Sequence, residues 1–203
     1  MYIESISAEE LEKLDYVSFP GKIYVIDSVG AEFNRALAYL RSQPIIGFDT
    51  ETRPCFSQGQ SRYGVSLLQL SGPDKAFLLR IKDIGMHRRL CSLLANGKII
   101  KVGAAIHDDI RGLQKHHDFV PAGFVDLQKI VWEWGIRDKS VKKMSAIILG
   151  FRISKTQQLS NWEAPALSES QCKYAATDAW VCREMYIRLM ASEKNPLKDE
   201  NLL

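Results

Sequence analysis

The sequence predicts an α/β domain built on a mixed β-sheet flanked by helices. Val65 to Leu70 and Ala76 to Leu79 are apolar, strand-like runs separated by Ser71-Gly72-Pro73-Asp74, the composition of a tight turn, so the two runs form a hairpin. From Ile84 onward, short apolar runs alternate with segments of helical period, the pattern of strands joined through helices.

The elements follow in order. Residues 1–20 read as a short helical arm ending near Phe19-Pro20-Gly21, and Ile23 to Ile26 as a strand. Phe33, Leu37 and Leu40 recur at helical spacing until Gln43-Pro44, because proline drives the residue before it out of the helical region. Ile45 to Phe48 then opens a buried strand. After the hairpin come a helix from Ile84 to Leu94 that stops near Gly97, a strand over Ile99 to Val102, and a helix over about 107–117. A short strand at Phe124-Val125 and a helix over about 127–134 complete the alternation. Ser140 and Gly150 bracket a further helix as its caps. Phe151 to Leu167 reads as irregular, and the last helix starts at Ser168 with the capping box Ser168-Glu169-Ser170-Gln171 and runs to about Met190. The expected organisation is an arm over 1–22, one domain over 23–190 and a polar tail over 191–203.

With 203 residues, 46% of them apolar and 25% charged, the chain can bury a full core without a disulfide or metal staple. The four cysteines, Cys55, Cys91, Cys172 and Cys182, lie far apart with no C-x-x-C pair, so they read as reduced and mostly buried. A net charge of +3 is compatible with a nucleic-acid partner and does not demand one. Met1 to Glu10 has acidic residues and no apolar signal region, and no run of eighteen apolar residues occurs, so a soluble, cytoplasmic protein without a membrane partner is expected. Neither G-x-G-x-x-G nor G-x-x-x-x-G-K-[ST] is present, which removes the glycine-rich nucleotide-binding classes.

Three segments carry chemistry. In Ile45-Ile46-Gly47-Phe48-Asp49-Thr50-Glu51 the strand period puts Asp49 and Glu51 on one face, directly after an apolar run. Their repulsion is relieved if a divalent cation sits between them, and hard oxygen ligands favour magnesium or manganese. Taken alone, such a pair is more often two solvated acids at a strand end. In Gly103-Ala104-Ala105-Ile106-His107-Asp108-Asp109 the helical stripe through Ile106, Ile110 and Leu113 includes Asp109, whereas Asp108 points about a quarter-turn away as a helix-start residue. In the last helix the apolar stripe of Val181, Cys182, Met185 and Leu189 continues back onto Asp178 and Tyr174, four residues apart on one face. An unpaired buried charge is costly, so that pair is functional, or else the aspartate is a structural partner of the tyrosine hydroxyl.

Other candidates rest on less. Thr50, His107, Asn161 and Trp162 are candidate substrate contacts, although a tryptophan before a helix is more often a packing anchor. His107, His116 and His117 lack zinc-site spacing. Arg137, Lys139, Lys142, Lys143, Arg152 and Lys155 form a basic stretch that either tracks a nucleic-acid backbone or is a solvated face.

The order D-x-E, then Asp, then Y-x-x-x-D resembles the DEDD, or DnaQ-like, superfamily of 3′-to-5′ exonucleases in its tyrosine subclass. Phe48-Asp49-Thr50-Glu51 is similar to its first motif, Val102 to Asp109 to its second and Tyr174 to Ala179 to its third. The histidine subclass requires histidine where Lys173 stands. Val65 to Leu70, Val125-Asp126-Leu127 and Ser160-Asn161-Trp162 extend the similarity to ribonuclease D and to the exonuclease domain of the Werner-syndrome helicase, over about residues 23–190. The resemblance implies a ribonuclease H-like fold, a DNA or RNA 3′ end as substrate, 5′-mononucleotides as products, and two divalent cations, Mg2+ or Mn2+. It further implies that Asp49 bridges both ions, that Glu51 and Asp178 hold the one on the nucleophile side, that Asp109 serves the other, and that Tyr174 belongs to the catalytic set. The alternative is a nuclease-like module that binds nucleic acid without cutting it, and the presence of all five residues speaks against it.

Overall fold

The six strands expected from the sequence assemble into a single sheet. In the computed structural model, which describes residues 1–55 and 64–198, they are β1 (Lys22–Ile26), β2 (Ile45–Thr52), β3 (Val65–Ser71), β4 (Lys75–Arg80), β5 (Ile100–Gly103) and β6 (Phe124–Asp126), in the order β1-β4-β3-β2-β5-β6. β3 runs antiparallel to β4 and to β2, whereas β1 is parallel to β4, and β5 and β6 continue parallel to β2. The sheet is thus mixed. The Gly72 N–H donates to the Lys75 carbonyl at 2.9 Å, which closes the expected hairpin. Every described position of β3 is buried because both of its faces are covered, hence its unbroken apolar run.

The helices are α1 (Ala8–Glu12), α2 (Ala31–Arg41), α3 (Ile81–Ile84), α4 (Arg88–Leu94), α5 (His107–Gln114), α6 (Leu127–Ile130), α7 (Val141–Leu149) and α8 (Glu169–Met190). Three differ from expectation. The helix over Ile84 to Leu94 is divided at Gly85, whose φ of +62° lies in the left-handed region that favours glycine, and α4 restarts after His87, whose Nδ1 accepts from the Arg89 N–H at 3.2 Å. The helix over about 127–134 is α6 followed by a 3-10 turn, Val131–Trp134, that ends at Gly135 with φ of +79°. The N-terminal arm is helical only in α1, and its Tyr16 instead bridges to Arg152. The caps of α7 at Ser140 and Gly150, and the capping box of α8 at Ser168 and Gln171, are as expected.

The two faces of the sheet bury separate cores. On one, Phe33, Leu37 and Leu40 of α2 and Leu90 and Leu94 of α4 pack on Ile46, Phe48, Leu70 and Leu79. On the other lies α8: its Val181, Cys182, Met185 and Leu189 meet Trp134, Ile136 and Met144, and its Tyr174, Ala175 and Ala176 meet Leu67, Leu78 and Trp162. Among the described residues no helix is long and apolar enough to cross a membrane, and Cys91, Cys172 and Cys182 are free thiols.

One contact sets how closely α8 approaches the sheet. A Cβ at position 47 would overlap the backbone carbonyl of Ala179 and stand 3.3 Å from the Trp180 nitrogen, so only glycine admits the helix backbone at that depth. A backbone carbonyl inside a helix cannot rotate aside as a side chain can. Gly47→Ala is therefore expected to destabilise the protein by about 3 kcal/mol, the upper end for overpacking. Urea unfolding checks this, and a loss below about 1 kcal/mol would mean that α8 shifts outward freely.

Candidate active site

Strand alternation builds the site. On β2, Gly47, Asp49 and Glu51 face α8, whereas Ile46 and Phe48 face the opposite core. α8 presents Tyr174 and Asp178 one turn apart on its buried side. The close passage at Gly47 then brings helix and strand carboxylates together: Asp49, Glu51 and Asp178 each offer an oxygen within 4.8 Å of the others'. Glu51 is 8% and Asp178 2% exposed, and Asp49 is half-buried.

Lys155 Nζ donates to Oδ2 of Asp178 at 2.7 Å and lies 5.3 Å from the centre of the Tyr174 ring. The Tyr174 hydroxyl lies near enough to the Asp178 carboxylate to favour its charged form. Oδ1 of Asp178 is buried with no hydrogen-bond partner among the described residues.

So many buried acids are hard to ionise together. Desolvation, then the Asp49 charge, pushes Glu51 up to about 10. Desolvation and the neighbouring Asp178 and Asp109 hold Asp49 well above the usual carboxylate range. Burial raises Asp178 as well, against the pull of Lys155. Burial also raises Asp109, against a hydrogen bond from Thr50. The Tyr174 hydroxyl is pushed far above its ordinary range, first by burial and then by Asp178 and Glu51, so it stays protonated. An all-oxygen donor set whose carboxyls ionise together only with difficulty, and a buried, unpartnered oxygen on Asp178, fits a hard divalent cation that would stabilise their charged forms.

The remaining sequence candidates divide. Asp109 stands outside the trio, half-buried at the start of α5, and accepts a hydrogen bond from the Thr50 hydroxyl, which ties Thr50 to Asp109. Asp108 is exposed, in agreement with the helical phase. The turn before α5 passes through Ala105, whose φ of +58° is left-handed and whose N–H donates to Asp126 Oδ1 at 2.9 Å. His107 and Asn161 are exposed. Trp162 is 0% exposed, with its ring 5.9 Å from that of Tyr174, and shares a core cluster with Leu67, Leu78 and Ala175, the setting of a packing anchor.

The basic stretch is likewise not one nucleic-acid track. Arg137 pairs with Glu4, Lys143 with Asp138 at 2.9 Å, and Arg152 with Glu12 at 2.5 Å, so these residues fasten the N-terminal arm and its docking site. Lys155 alone in this stretch turns into the carboxylates, and nothing in the sequence distinguishes it from its neighbours. Beside Glu51 and Asp109 opens a cleft of about 790 Å³, whose walls include Thr50, Arg53, Arg111 and Lys115.

Residues 25–192 match the 3′-5′ exonuclease family. The chain belongs to that family. It is 28% identical over 176 residues to the exonuclease 3′-5′ domain-containing protein 2 of Mus musculus, covering 79% of this chain and 27% of that protein. It is 29% identical over 165 residues to ribonuclease D of Bartonella henselae, covering 79% of this chain and 39% of that protein. The chain thus spans about a quarter to two fifths of the length of these curated relatives. The crystal structure of Escherichia coli RNase D superposes with a TM-score of 0.73 at 23% identity, over 84% of this chain and 44% of that one, which establishes the ribonuclease H-like fold. The resemblance carried by the three motifs is borne out at the level of family and fold.

The raised carboxyls make stability depend on pH. Unfolded Asp and Glu ionise near pH 4, while the native carboxyls keep their protons to higher pH, for Glu51 to about 10. Across that interval the native state binds more protons than the unfolded state, so stability falls as pH rises. In chelator, the Tm is expected to drop between about pH 5 and pH 9, and Asp49→Asn to raise the Tm at about pH 8 and flatten the profile. Thermal melts read this directly, and a wild-type Tm that climbed over the interval would contradict the assignment.

Proposed function

We propose that this protein is a 3′-to-5′ exonuclease that hydrolyses the phosphodiester bonds of DNA or RNA and releases 5′-mononucleotides, with Asp49, Glu51, Asp109 and Asp178 holding two divalent cations, Mg2+ or Mn2+. The supporting observation is the buried trio of Asp49, Glu51 and Asp178 in a chain of the 3′-5′ exonuclease family. Bound there, such ions lower the pKa of an attacking water and stabilise charge on the departing 3′ oxygen.

The chain's own groups have separable tasks in this reading. Asp49 offers an oxygen within 4.8 Å of those of Glu51 and Asp178 and also feels the charge of Asp109, which suits it to serve both ions. The Thr50 hydroxyl orients the Asp109 carboxylate. The cleft beside them, with Arg53, Arg111 and Lys115 in its walls, offers positive charge to the phosphates of a strand whose 3′ end reaches the carboxylates. Tyr174 keeps its proton, so it acts as a donor that orients the attacking water and not as the base.

A 5′-labelled oligonucleotide with Mg2+ or Mn2+ tests the reading. A ladder shortening from the 3′ end, abolished by chelator, by a blocked 3′ end and by Asp178→Ala, is the expected result. Degradation that ignores the 3′ block would refute the polarity. Asp109→Asn is expected to remove most of the activity and Asp108→Asn little of it, since only Asp109 turns inward. The opposite ranking would transfer the role to Asp108.

Tyr174→Phe preserves the ring that packs on Trp162 and deletes only the hydroxyl. Single-turnover cleavage is expected to slow by roughly ten- to a thousand-fold, the scale of a lost positioning or proton-transfer contact. Oligonucleotide affinity should stay near wild type. Unchanged cleavage with weakened binding would make Tyr174 a substrate contact.

A further inference from the structure

Lys155 is a cation that the described residues place against the trio. Its backbone belongs to an irregular segment that is firmly tethered. Three residues earlier, Arg152 donates its Nε–H to the Leu14 carbonyl at 2.9 Å and its backbone N–H to the Asp15 carbonyl at 2.9 Å. From that anchor the lysine stem passes the Tyr174 ring and delivers Nζ to Oδ2 of Asp178. The side chain is still 29% exposed, so the ammonium has an open route to water along a flexible stem.

We propose that Lys155 is an internal competitor of the metal: it occupies the Asp178 carboxylate in the metal-free protein and surrenders it when a divalent cation binds. This inference rests on the reading of the trio as a metal site. Two physical arguments carry it. Three carboxylates so close and so buried need positive charge, and one ammonium supplies part of it. A divalent ion on the same carboxylate would then stand a few ångströms from that ammonium, where like charges in a protein interior repel strongly. Moving Nζ into water relieves the repulsion and needs no backbone change. The ion pair therefore stabilises the metal-free state and weakens metal affinity by the same amount.

Titration calorimetry of the full chain with Mn2+, without nucleic acid, tests this beside thermal melts in chelator. Lys155→Met keeps the apolar stem and removes the charge; its Kd for Mn2+ should fall by about tenfold or more, and its Tm in chelator should drop. Lys155→Arg retains the charge and should remain near wild type in both. If Lys155→Met does not fold without metal, Lys155→Gln, neutral but still a donor, should show the same tighter binding. An unchanged or weaker Mn2+ affinity in the neutral variants overturns the inference and makes Lys155 a positioning residue that stays on Asp178. Absence of Mn2+ binding by the wild type would instead overturn the metal-site reading itself.

Discussion

The passage of the α8 backbone over Gly47 is the constraint on which the rest of the site depends. Asp178 reaches the β2 carboxylates because Ala179, the next residue, lies against a strand position that has no side chain. Alanines at 175, 176 and 179, all fully buried, keep the helix near the sheet along the same stretch. Asp49 and Glu51 owe their shared face to strand period, and Tyr174 and Asp178 owe theirs to helical period. Neither periodicity creates the cluster until the two elements meet at backbone distance. The small residues are thus as much a part of the site as the acids.

That proximity carries an electrostatic burden. The carboxyls are held above their ordinary pKa values by burial and by one another, and the ammonium of Lys155 offsets this only in part. The two cores on either side of the sheet supply the stability that such an arrangement consumes. The N-terminal arm adds to this support: Ile6 and Leu11 pack on Ala146 of α7, and Glu12 pairs with both Arg152 and Lys142. Through Arg152, the arm also fixes the segment from which Lys155 extends.

Much of this was legible in the sequence, for reasons that can be named. The strands, the hairpin turn and the caps at Ser140, Gly150 and Ser168 are local signals, and the structure contains them. The inward phase of Asp109, Tyr174 and Asp178 followed from apolar neighbours on the same helix. Lys155 was not legible: it is one of six basic residues in a short span, and which of them meets Asp178 depends on partners distant in the chain. The break at Gly85 lies inside the span that reads as one helix from Ile84 to Leu94, and a left-handed φ is a backbone feature that apolar spacing does not report. The burial of Trp162 depends on Leu67, Leu78 and Ala175, which share its cluster but lie in separate elements.

The sheet order has a kinetic meaning as well. β2 sits between β3 and β5, which both follow it in the chain, β5 about fifty residues on, and α8 (Glu169–Met190) arrives from still farther along to cover it. Contacts of such long range are slow to form, because the entropy of closing the loops is lost before the contacts repay it. Until α8 docks, the acids of β2 remain hydrated and far from Asp178, without the density of charge that attracts a cation. The cluster therefore exists only in chains whose first and last thirds have already found each other.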